Sequence, residues 1–138
     1  MKSSGFSAMA PHTLLITRAT DPKGRPFSHR QVLVMPEAEL PAPVLAWICC
    51  CPTGAVTATR IGPIWLAHGG LWGEEHSEPS FHWPLLGGTI IHGRACAIVP
   101  DHHSGGWQAL SEHQAHHADG ILWRYGLPLM PSLQEAAA

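Results

Sequence analysis

Apolar positions recur along the chain in short blocks, and the periodicity of each block predicts its element. Residues 12–17 form a compact apolar run with β-branched side chains, the pattern of a strand. Asp21-Pro22-Lys23-Gly24 follows as a turn, because proline fixes φ and glycine accepts a positive φ. Residues 30–35 alternate and return as the second strand of a hairpin. Pro36, Pro41 and Pro43 break any long helix, which leaves a short one over residues 43–50 with proline in its first turn. Residues 54–60 and 64–68 predict two further strands around a Gly62-Pro63 turn.

The second half begins with a loop over 69–80, rich in glycine and carrying Glu74, Glu75, His76 and Glu78. Residues 81–83, 89–92 and 95–99 read as strands, and 100–106 as a histidine-bearing loop. Good helix formers over 107–118 predict a helix, with Ser104 as an upstream cap and Gly120 as its stop. A short apolar segment at 121–125 and a partly ordered tail at 126–138 complete the chain. Many short strands followed by one helix give an α+β expectation. The architecture is a mostly antiparallel, strongly bent sheet or small barrel with one C-terminal helix packed on it, in a single domain over residues 1–138.

Charge changes that picture in one respect. Only 13% of residues are charged, about half the usual share, so a monomer exposes much apolar surface and a homodimer is expected. The net charge of −2 and the absence of any basic run exclude stable nucleic-acid binding, which needs several cations along a phosphate backbone. No apolar run reaches the roughly 18 residues of a transmembrane helix, and residues 1–6 lack the apolar region of a signal peptide. The expectation is a cytoplasmic protein without membrane contact. Cys49, Cys50 and Cys51 are adjacent, a poor disulfide framework, and continue an apolar run, so they read as reduced, largely buried thiols. A Cys51–Cys96 contact across paired strands is also compatible with the pattern.

Walker A, GxGxxG, HExxH, GxSxG and CxxC motifs are all absent. Candidate chemistry rests instead on histidine, of which there are 11 against 8 lysines and arginines together. His102, His103, His113, His116 and His117 cluster late in the chain. On a helix, His113 and His117 lie one turn apart on one face, the separation at which two imidazoles share an ion. His102 or His103 would supply the third ligand of a divalent site such as zinc, with Asp101 or Glu112 as orienter or general base. The plain alternative makes these histidines ordinary polar surface residues.

Ile98-Val99-Pro100-Asp101-His102-His103, followed by His113 and His116-His117, resembles the HNH family of ββα-metal nucleases over residues 98–117 alone. That resemblance implies a strand and loop carrying catalytic residues, a helix carrying a metal-binding histidine, and divalent-metal-assisted phosphodiester hydrolysis. The chain contains no asparagine, so the motif's central residue is missing, and the spacing is compressed.

Tryptophan is the other excess, with 6 residues against 1 tyrosine. Trp72 and Trp83 flank the segment that holds Glu74, His76 and His82. Together these five residues suggest an aromatic pocket for a small ligand, a cation included, through cation–π attraction; the alternative is that both rings are core. Two functions follow. The first is a non-enzymatic module that binds a small molecule or a protein through an aromatic, low-charge pocket. The second is a divalent-metal-dependent hydrolase built on the late histidines. The first ranks higher because no complete catalytic motif is present.

Overall fold

The computed structural model describes residues 10–84 and 88–130. Strands β1 (His12–Thr20) and β2 (Pro26–Val34) open the chain, followed by helix α1 (Ala42–Cys49) and a 3-10 turn at Thr53–Ala55. Next come β3 (Thr57–Ile61), β4 (Ile64–His68), helix α2 (Gly70–His76), β5 (Pro79–Trp83) and β6 (Thr89–His92). The chain closes with β7 (Ala95–Pro100), β8 (Trp107–Gln108) and helix α3 (Glu112–Tyr125).

The main sheet runs β2-β1-β7-β4-β3, with β8 beside β7, and every pairing among its described strands is antiparallel. It is curled but not closed, so the bent sheet rather than the barrel is realised, and β2 and β3 remain its edges. Its central strands are buried on both faces, which is why they read as nearly continuous apolar runs. Leu14, Ile16, Leu66, Ala95 and Ala97 point into one core, where Phe81, Trp83 and Ile91 of the β5–β6 hairpin and Ala118 and Leu122 of α3 meet them. Leu15, Ala67, Cys96 and Ile98 point the other way, against Leu45, Ile48 and Cys49 of α1. The result is three layers: α1, the sheet, and a layer shared by the hairpin and α3.

The second half corrects the sequence reading in two places. Residues 70–76 are helical rather than loop, and their glycines serve close approach. The Cβ position of Gly73 lies 3.3 Å from the His92 carbonyl oxygen, and Gly70 has φ +55° beside Thr57. The last helix starts at 112 rather than 107. Trp107 and Gln108 pair with Pro100 and Val99, the Ala109 N–H donates to Ala38, and the Leu110 N–H donates to His12. Those backbone groups are therefore committed to the sheet and its rim. Ser111, not Ser104, is the cap. Its Oγ accepts from the Gln114 N–H at 3.1 Å while Gln114 Oε1 accepts from the Ser111 N–H at 2.8 Å, a reciprocal capping box. Gly120 does not stop the helix; residues 121–125 are its last turn.

Of the expected tail, residues 131–138 lie outside the described residues, while Leu127 donates its N–H to His82 and Leu129 is buried. Cys50 is exposed rather than buried, because it caps α1 in a left-handed conformation with φ 54°. Among the described residues, no helix is long and apolar enough to cross a membrane.

Candidate functional site

Helix α3 is fastened mainly through one buried stripe. Ala115, Ala118 and Leu122, spaced three and four apart, are its buried stripe. Arg30 of β2 adds a clamp, with its Nε 2.6 Å from Asp119 Oδ1 and its guanidinium 5.3 Å from the centre of the Trp123 ring. At 100° per residue, His113, His117, Gly120 and Arg124 fall on the face opposite that stripe, and Gln114, Ile121 and Tyr125 fall between the two, on the flank toward a groove that all seven line. The far wall of the groove is the β3–β4 turn, Gly62-Pro63. Gly62 has φ +58°, and a Cβ there would lie 3.3 Å from Trp83 Cζ2, so this glycine lets the turn close onto the indole.

Two adjoining hollows occupy the groove. The larger, of about 680 Å³, is lined by Gly62, Pro63, Trp83, His116, His117, Gly120, Ile121, Arg124 and Tyr125. The smaller, of about 400 Å³, runs from Pro63 over Trp65, Ile98 and Val99 to His113, Gln114 and His117. Pro63 and His117 belong to both linings. The Trp83 and Tyr125 rings meet edge-on at 6.0 Å and give the larger hollow an aromatic corner. Gly120 deepens it, since a Cβ at that position would meet nothing within 4 Å.

Of the five residues expected to form a ligand pocket, only Trp83 lines this groove. Trp72 and His76 lie one turn apart on α2, their rings stacked at 4.3 Å with His76 Nδ1 2.8 Å from the Trp72 carbonyl oxygen. Glu74 is exposed on the same helix. His82 neighbours Trp83 on β5, half-buried on the opposite side of the strand.

The late histidines divide in the same way. His113, His116 and His117 stand on α3, exposed and toward the groove. His102 and His103 sit on the β7–β8 loop, also exposed. Asp101 organises that loop with both carboxylate oxygens, accepting from the His103 N–H at 3.0 Å and from the Ser104 hydroxyl at 2.7 Å. The Ser104 bond, then the His103 bond, hold the Asp101 carboxyl below its ordinary value. Glu112 lies 3.9 Å from His116 Nε2. The segment does form two antiparallel strands and a helix. Among the described residues, no three histidine, cysteine, aspartate or glutamate side chains are grouped to hold a metal ion.

Two buried polar clusters elsewhere serve the fold. The Cys49 thiol donates to the Ala67 carbonyl at 3.3 Å and meets Cys96, rather than Cys51 doing so. That contact and burial push the Cys49 thiol far up, which keeps it protonated and unreactive. His68 is the second. The Gly70 N–H donates to its Nδ1 at 3.1 Å, so the proton sits on Nε2, which donates to Thr59 Oγ1 at 2.7 Å. A Thr59–His68 nucleophile–base pair is thereby excluded, because the nitrogen facing the hydroxyl already carries its proton.

Burial, with a smaller contribution from His92 and opposed by Glu74, holds His68 below its ordinary value of 6.5. The unfolded chain therefore takes up this proton first as pH falls. The stabilising contribution is complete above the unfolded value and is lost as pH drops toward the folded one. Urea midpoints measured between about pH 7.5 and 5 should fall more steeply for the native chain than for His68→Gln. Parallel curves would show that His68 contributes nothing to acid sensitivity.

No protein-family model, curated protein or solved structure matches this chain.

Proposed function

We propose that the protein is a non-enzymatic binding module, and that the groove between α3 and the β3–β4 turn holds a small, flat organic ligand. The observation that carries this reading is the joined pair of hollows, walled by Trp83, Tyr125 and Ile121 and edged by the polar side chains of His113, Gln114 and His117. Concave, mostly apolar sites with a few convergent polar groups are the usual form of small-molecule sites. His113, His117, Gly120 and Arg124 also take little part in holding the helix, whose buried stripe is Ala115, Ala118 and Leu122. Histidine and glycine at 113, 117 and 120 thus support binding more than folding.

The test uses indole as a neutral, flat probe. In amide chemical-shift titrations of the labelled protein, shifts should concentrate at 62–64, 83 and 116–125. Gly120→Leu should abolish them, because its side chain enters open space in the larger hollow. The same change should preserve the fold or stabilise it by about 1 kcal/mol, since leucine is much the better helix former. Shifts centred on α2, or a Gly120→Leu variant that binds indole as well as the native chain, would overturn the reading.

A further inference from the structure

Resting on that reading, we infer that the ligand is an organic carboxylate: an aromatic body against Trp83 and Tyr125, and a carboxylate held at the C-terminal end of the groove by Arg124. The argument is one of charge complementarity. The chain as a whole is acidic, with 10 carboxylate side chains against 8 lysines and arginines. The two hollows reverse that balance. Apart from the Tyr125 phenol, their ionisable lining residues are His113, His116, His117 and Arg124, with no aspartate or glutamate among the described lining.

Neither acidic residue of α3 is among the residues that line the hollows, although Glu112 approaches the lining residue His116. Asp119 is engaged by Arg30 on the β2 side, and Glu112, a turn before His116, lies 3.9 Å from its Nε2. Arg124 has no ion-pair or hydrogen-bond partner among the described residues. On the far wall, Arg60 Nε donates to the Gly62 carbonyl at 3.1 Å, though Arg60 is not among the residues that line the hollows. A cation over this corner would meet the like charge of Arg124. A carboxylate would accept two parallel N–H bonds from Arg124, the geometry in which guanidinium outperforms any other cation. Its organic body would replace the water over the aromatic corner.

Arg124 also lies in the last turn of α3, where any cation complements the helix dipole. The experiment separates that role from ligand binding by keeping one ring and changing only its substituent. Indole-3-acetate, indole-3-acetamide and tryptamine supply an anion, a neutral isostere and a cation. Titrated into the native protein at low salt, the acetate should bind about three- to tenfold more tightly than the acetamide, the range for a partly exposed charged contact, and tryptamine most weakly. Arg124→Gln should bring the acetate to the level of the acetamide while leaving the acetamide unchanged, and added salt should do the same. Equal affinities, or tryptamine binding best, would overturn the anionic assignment and leave the groove reading intact. Failure of all three probes to perturb the groove would overturn both. An Arg124→Gln variant that weakens acetate and acetamide alike would assign Arg124 to the helix end alone.

Discussion

Phe81→Ala is expected to lower folding stability by about 3–5 kcal/mol, the range for deleting a buried phenyl ring. The ring is 1% exposed, lies 6.3 Å from the Trp83 ring, and packs in the core that joins the sheet to α3. Its edge is also pressed against the end of α3, since a Cβ on Gly126 would fall 2.8 Å from Phe81 Cε1. The backbone at the end of α3 lies close against the ring, so collapse into the resulting void should be limited. With total stability of a domain this size at about 5–15 kcal/mol, a large part of the margin would go. The melting temperature should fall by roughly 10–20 °C. A fall of less than about 5 °C in calorimetry would mean that the β5–β6 hairpin does not fasten α3 as described.

Gly70→Ala should cost about 2–4 kcal/mol. Two effects add. The residue has φ +55°, where an L side chain is strained by roughly 1–2 kcal/mol. The new Cβ would also overlap Thr57 Oγ1 and stand 3.2 Å from Thr57 Cβ. These contributions can be separated. Thr57→Ala removes the hydroxyl but leaves the backbone strain, so the double variant should recover part of the loss and no more. Additivity of the two changes in urea denaturation would rule out the clash, and full recovery would rule out the strain.

The parts of this fold legible from sequence are those whose side chains alternate between two cores. Leu14, Leu15 and Ile16 announce β1, and Ile64, Leu66 and Ala67 announce β4, because apolar residues are needed on both faces. Helix α2 was not legible for a local reason. Gly70 and Gly73 look like loop residues until the partners that require them, Thr57 and the His92 carbonyl, are in place. The start of α3 was misread because residues 107–110 have acceptable helix propensity but owe their hydrogen bonds to strands far away in sequence. A better signal was present in Ser111 and Gln114, a capping-box pair at the correct spacing.

The site was legible only in fragments. Histidine clustering pointed to α3, and tryptophan enrichment pointed to Trp83. Their meeting at the β3–β4 turn depends on Gly62, whose importance lies in what it allows to approach. His102 and His103 are near His113 in sequence, yet the Asp101-centred loop gives them a course of their own.

The attachment of α3 through one main stripe has a consequence for how this protein can change. Positions 113, 117, 120 and 124 contact the groove, whereas Ala115, Ala118, Leu122, the Ser111 cap and Arg30 secure the helix. Groove lining and helix attachment thus fall on interleaved positions of the same fourteen-residue stretch, with Gln114, Ala118 and Ile121 serving both. Substitutions in the first set can drift, or be shuffled in the laboratory, while the scaffold stays intact. A lineage descended from such a chain can reshape the groove without passing through an unfolded ancestor.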